Sequence, residues 1–344
     1  MQTRPELCTD TALPSVDDIA RIARELYGMD AVAEPLPGFE DLNYRLTGAG
    51  SVRVLKVASS ATLAADLQLQ DAVMEWLQPQ LAGKIQRLIP TTAGARLGEV
   101  DSPSGLRLVR MLSYLPGRRM ADLPLHSEAL LRDLGGLLGR MDRRLLSFEH
   151  PHAARSIEWS LSETSRLRRW LDAVDDPHAR ALVTAVIDRF DTIVAPLLPA
   201  LRSCVLHNDA NDYNILVEEG PTPTRVAGLI DFGDSVCAPV ICELAIAIAY
   251  ALFAKDNPLE VAATLTQAFH QELPLAPEEL DVLFDLVSSR LAMSVVLCSR
   301  ELRARPQNTY LAVSTAPALR ALDRLARIAP EQARARLRRA CGFA

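Results

Sequence analysis

The sequence predicts a two-lobed α+β protein, with a small antiparallel-sheet lobe at 1–113 and a larger, mainly helical lobe at 114–344. Three observations carry this. VRVLKVA at 52–58 alternates in hydropathy and is rich in Val, the pattern of a half-buried strand. LSYLPGRRM at 112–120 passes from an extended segment into a Pro-Gly turn, and beyond it helical patterns dominate. A chain of 344 residues is also long enough for two separate cores.

The elements follow in order. Ser15, with Asp17 and Asp18 in the first turn, opens a helix whose apolar positions are Ile19, Ile22 and Leu26 and which stops at Gly28. PLPGFEDLNYRLTG at 35–48 reads as a turn entering a strand, and Gly48–Gly50 as a hairpin turn. A helix is expected from about Thr62 to Leu77, with Pro79 as its stop. Lys84–Ile89 and Leu106–Met111 are further strands. Past the Pro-Gly turn, helices are expected over Leu130–Leu146, Ser160–Asp172 and Ala179–Leu198. Short strands at 204–206, 214–217 and 226–230 frame polar motifs, and four more helices cover 240–254, 258–270, 277–303 and 315–343.

Composition excludes several classes. Apolar residues are 49% and charged residues 23%, ordinary for a globular enzyme. The formal charge is -6 and no dense Lys/Arg tract is present, so no nucleic-acid partner is expected. Six cysteines show no CxxC pair, which suits reduced thiols in the cytosol. No charged segment leads into an apolar run at the N-terminus, and ELAIAIAYALFA at 243–254 is too short to cross a bilayer. A cytoplasmic protein with no membrane partner is the expectation; nothing signals an oligomeric state.

The chemistry lies in two motifs. HNDANDYN at 207–214 has the form HxDxxxxN, set between the apolar residues Leu206 and Ile215–Val217. Charge at such a place is paired or metal-bound. Asp209 can orient or deprotonate an attacking hydroxyl, while Asn214 and Asp231, the latter in GLIDFGD, can hold Mg²⁺ against nucleotide phosphates. Taken alone the first motif also reads as an Asp/Asn-rich turn; the second motif weighs against that. His207 is read as a structural hydrogen-bonding residue. Lys56, in a Val/Leu strand, is placed on nucleotide phosphates, with a solvent-facing lysine as its alternative. Asp71 shares a helix face with Leu67 and Met74 and is the first candidate to steady Lys56, with Asp66 and Glu75 behind it. The loop Pro37–Asn43 has one glycine, Gly38, and is no GxGxxG cradle; Asn43 or backbone amides are left to touch phosphates. Backbone groups at 112–115, around Leu112 and Tyr114, are candidates for the nucleotide base.

Through Lys56, HNDANDYN and IDFGD at 230–234 the chain resembles the aminoglycoside phosphotransferase and choline kinase superfamily. LPGFEDLNYRL at 36–46, VLKVASS at 54–60, LHNDANDYNILV at 206–217 and GLIDFGDSVCAPVICELAIAIAYAL at 228–252 bring it closer to the hydroxylysine kinase branch and to phosphotransferase domains fused to class III aminotransferases. The resemblance runs from about residue 30 to 330. It implies a protein-kinase-like bilobal fold, with a nucleotide-binding first lobe and a catalytic, acceptor-binding second lobe. It further implies Asp209 as catalytic base, Asn214 and Asp231 as Mg²⁺ ligands, Lys56 on the phosphates, and ATP or GTP as donor. Gln68 departs from the pattern, standing where such relatives often carry the lysine-pairing glutamate.

An amino-acid acceptor would need anchors for its carboxylate and its ammonium group. Arg290, in the apolar stretch LVSSRLAMSVV, is the candidate for the first, with an internal salt bridge as rival. Asp234 and Glu243 are candidates for the second, although Glu243 would serve equally as a brace within its lobe. The expectation is therefore a small-molecule kinase acting on a hydroxyl of an amino acid or amino alcohol, hydroxylysine included. Aminoglycoside, choline, ethanolamine or another small alcohol is the alternative. A nucleotide-binding pseudokinase used as an interaction module is the rival of a different class.

Overall fold

A computed structural model describes residues 14–38, 41–48, 50–102, 105–254, 257–304 and 315–344. The chain divides into two compact units at Pro116/Gly117. One is built on an antiparallel sheet and the other is mainly helical, as the α+β expectation requires.

The N-terminal unit opens with α1 (Val16–Tyr27), held by a reciprocal cap in which Ser15 Oγ accepts from Asp18 N–H and Asp18 accepts from Ser15 N–H. Gly28, at φ 63°, ends it. The strands are β1 (Val32–Leu36), β2 (Leu42–Gly48), β3 (Ser51–Val57), β4 (Leu88–Ile89), β5 (Gly98–Ser102) and β6 (Gly105–Ser113). They are ordered β1-β2-β3-β6-β4, with β5 also on β6, and every pair is antiparallel. The sequence reading did not identify β1 and β5. β1 carries Pro35, tolerated because the strand lies at the sheet edge. The helix α2 (Ala64–Leu81) runs past Pro79, its expected stop. Leu77 and Leu81, one turn apart, are both buried, and that packing carries the last turn.

Strand alternation then sorts the side chains. Leu55, Val57, Val109 and Met111 pack with Ile19 and Ile22 of α1 in one core. Lys56 and Arg110, facing each other across the β3–β6 pair, therefore take the opposite face.

The C-terminal unit holds β7 (Arg118–Arg119), α3 (Glu128–Leu145), α4 (Pro177–Arg189), β8 (Ser203–Leu206), β9 (Ile215–Val217), β10 (Val226–Leu229), β11 (Val236–Pro239), α5 (Ile241–Ala251), α6 (Pro258–Glu272), α7 (Pro277–Ala304), α8 (Thr315–Leu325) and α9 (Pro330–Ala340). The strands form two small antiparallel sheets, β10-β9-β7 and β11-β8. Residues 161–173 form 3₁₀ turns rather than the expected α-helix, and α4 ends in a π turn at Phe190–Val194. The single helix expected over 315–343 is two, because Pro330 drives Ala329 into an extended conformation and starts α9. By length and composition α7 would suffice to cross a membrane, yet 94% of its apolar window is buried within the protein. It is the core helix of this unit.

Candidate active site

In the C-terminal unit β8 delivers the chain into the loop His207–Asn214, which returns as β9. Strand β10 leads to Asp231, followed by a 3₁₀ turn over Phe232–Asp234 and by β11, which pairs back with β8. Both motifs are thereby set on neighbouring strand ends. Asn208 and Asp231 share φ 64° and are the non-glycine residues with positive φ among the described residues. Such backbone is costly and persists only where the surroundings impose it.

His207 ties one motif to the other. Its Nε2 donates to Ile230 O at 3.0 Å, and its Nδ1 accepts the Asp209 N–H at 3.2 Å. The ring meets Phe232 edge-on at 4.5 Å. Burial pushes its pKa down to about 4, so the imidazole is neutral near pH 7. Its two nitrogens are spent on holding backbone.

Asp209 is gripped on both oxygens. Oδ2 accepts from Asn211 Nδ2 at 2.8 Å and from Asn214 Nδ2 at 2.7 Å, and Oδ1 accepts from Arg290 Nη2 at 2.6 Å. Burial pushes its pKa up to about 6, against the pull of the Arg290 guanidinium. Asn214 also donates Nδ2 to Asp209 O at 3.0 Å. With its amide nitrogen committed twice, Asn214 has its hard Oδ1 oxygen left to offer. A Cβ on Gly233 would come within 3.3 Å of Asp231 Oδ1, so glycine leaves room for that carboxylate. One amide oxygen and one carboxylate suit Mg²⁺, which takes its remaining ligands from phosphates and water. Among the described residues no set of three His, Cys, Asp or Glu could hold a metal unaided.

Two of the expected acceptor contacts are placed otherwise. Glu243 is fully buried, and its Oε2 accepts the Asn208 N–H at 2.9 Å. Burial pushes its pKa up to about 7, opposed by that loop hydrogen bond. It braces the loop and has no surface to meet an acceptor. Arg290, 2% exposed, forms the internal salt bridge that rivalled a role as carboxylate anchor. Asp234 is half-buried, within electrostatic reach of the Arg290 and Arg155 guanidinium groups. Burial and the neighbouring Asp209 push its pKa up to about 7.

Sequence reasoning did not single out Asn211 or Arg155. Asn211 Oδ1 accepts the N–H groups of Tyr213 and Asn214, shaping the loop. Arg155 donates to Gly233 O and Ser235 O, fixing the second motif from a distant segment. Asn211 lies inside the first motif and was open to recognition. Arg155 had no local signal.

In the N-terminal unit Lys56 Nζ lies 3.6 Å from Asp41 Oδ2. Asp71 does not serve it. Its Oδ1 accepts from Arg110 Nη1 at 3.0 Å, and Gln70 takes the other arm of the same guanidinium. Arg110 stands on the same sheet face as Lys56 and meets α2 with a planar fork that a lysine lacks. Of the reserve candidates, Asp66 accepts the Leu63 N–H, and Glu75 pairs with Arg96. Asn43 is the register partner of Lys56, and its Oδ1 is buried without a hydrogen bond. A Cβ on Gly38 would collide with the Asn43 amide. Leu112 is paired on both sides, with Val54 and Leu88, whereas Tyr114 lies beyond the last paired residue and packs under Arg45.

A profile of the phosphotransferase enzyme family matches residues 32–282. The hydroxylysine kinase of Danio rerio is 33% identical over 325 residues, which cover 90% of this chain and 91% of that protein. Among solved structures, a microcompartment-associated aminopropanol kinase superposes with a TM-score of 0.71 at 17% identity, covering 89% of this chain and 96% of that one. An amicoumacin kinase in complex with AMP-PNP and Ca²⁺ gives a TM-score of 0.66 at 16% identity, covering 92% and 96%. At these identities the structural likenesses speak for the fold.

Proposed function

The chain belongs to the phosphotransferase enzyme family and is a small-molecule kinase with a hydroxyl acceptor, and we propose that this acceptor is an amino acid, hydroxylysine first. The observation that carries the acceptor is the likeness to a hydroxylysine kinase over nine-tenths of both chains. ATP or GTP is the donor in this reading.

Asp209 aligns the acceptor hydroxyl and takes its proton as the new O–P bond forms and the bond from the γ-phosphorus to the bridging oxygen breaks. The nucleoside diphosphate leaves with that oxygen. Asn211 and Asn214 hold the carboxylate in one orientation, which is most of what positioning asks of the protein. Asn214 and Asp231 would hold Mg²⁺, which when bound neutralises phosphate charge. Lys56 is assigned to nucleotide phosphates, Asn43 and the backbone around Tyr114 to the nucleotide, and Asp234 to the acceptor ammonium.

An amino alcohol is the second reading. It is favoured by the commitment of Arg290 to Asp209, which leaves an acceptor carboxylate without its anticipated partner. A cytosolic setting suits the free thiols at Cys204, Cys237, Cys242, Cys298 and Cys341. The test is a panel of hydroxy-amino acids, amino alcohols and aminoglycosides, each with ATP and with GTP, read by diphosphate release. Hydroxylysine is expected to show the highest kcat/KM. Preference for an amino alcohol would move the assignment to the second reading, and no release with any acceptor would refute the kinase.

A further inference from the structure

We propose that Arg290 is a positioning residue that acts through Asp209, fixing the catalytic carboxylate to the helical core, rather than a contact for the acceptor. This rests on Asp209 being the base of the proposed reaction. The two amides on Oδ2, from Asn211 and Asn214, belong to the same loop as Asp209 and move with it. Oδ1 is held from outside, by Nη2 of a residue on the buried core helix α7.

The guanidinium is itself fixed from several directions. Nη1 donates to Trp159 O at 3.0 Å. The Trp159 and Tyr250 rings lie 5.0 Å and 5.5 Å from its central carbon. Nε is buried and has no hydrogen-bond partner. An acceptor carboxylate could reach this fork only by displacing Asp209, the group the reaction needs. A carboxylate held between its own loop and a rigid helix stays in attack geometry whatever the acceptor carries. Misplacement by about 1 Å costs about 10²-fold in rate.

The experiment compares Arg290→Met and Arg290→Lys with the wild type, using hydroxylysine and the same molecule without its carboxylate. For Arg290→Met, kcat is expected to fall about 10²-fold with both acceptors, while KM for nucleotide and acceptor stays within about threefold, an allowance well under a kcal/mol. Arg290→Lys is expected to recover part of kcat and leave KM alone. A loss confined to KM of the carboxylate-bearing acceptor would overturn the proposal in favour of an anchor, and an unchanged kcat would overturn it outright. Should Arg290→Met not fold, Trp159→Leu keeps the ion pair and removes one ring. It is expected to lower kcat with both acceptors, and an unchanged kcat there has the same refuting force. A wild type inactive with every hydroxyl acceptor removes the kinase reading and this role together, whereas an active wild type with unaffected variants removes only the role.

Discussion

Arg110 Nη1 lies 3.0 Å from Asp71 Oδ1, with the two side chains 3% and 1% exposed. The pair joins β6 to α2 on the face of the sheet that also carries Lys56. Burial raises the Asp71 carboxyl above its ordinary range even against the pull of Arg110, so the pair is costly to split. Arg110→Met should cost about 3–5 kcal/mol of unfolding free energy by leaving a buried carboxylate alone. The double variant Arg110→Met/Asp71→Leu should recover most of it. Chemical denaturation of the three proteins checks this, and additive losses would contradict it.

Asp209→Asn nearly preserves the side-chain volume and removes the proton acceptor, its amide nitrogen replacing one of the two oxygens that accept from Arg290 and from Asn211 and Asn214. We expect kcat to fall about 10²–10⁴-fold, with nucleotide affinity by calorimetry nearly unchanged. Equal loss of both would speak against Asp209 as base.

Asp234→Asn tests the ammonium anchor. Removing a charge-assisted contact of about 1.5–3 kcal/mol should raise the acceptor KM by about 10- to 100-fold, leaving the nucleotide KM in place. An acceptor analogue without the amino group should show no such difference between the two proteins.

Asp142, on α3, is fully buried, neither carboxyl oxygen has a hydrogen bond, and burial with Glu243 nearby holds its pKa well above the ordinary range. The folded protein keeps a proton there that the unfolded chain gives up above about pH 4. Stability therefore falls as pH rises from that point towards the raised folded value. Asp142→Asn abolishes this dependence. Its Tm relative to the wild type should climb with pH across that window, and a constant gap in a pH series of thermal melts would refute the assignment.

The reaction class, and the grouping of the candidate residues, were legible in the chain itself. Asp209 and Asn214 lie within one short loop and Asp231 follows one strand pair later, so local spacing alone brings them together. The two-unit α+β plan was equally readable, since alternation in VRVLKVA and long helical periods are local signals. What tertiary structure decided were the pairings between distant segments. Arg110 took Asp71 from Lys56, Arg290 turned to Asp209, and Glu243 closed on Asn208 instead of on an acceptor. In each case a buried charge settles on whichever partner the packed core brings within hydrogen-bond reach, and no period or motif in the sequence encodes that distance.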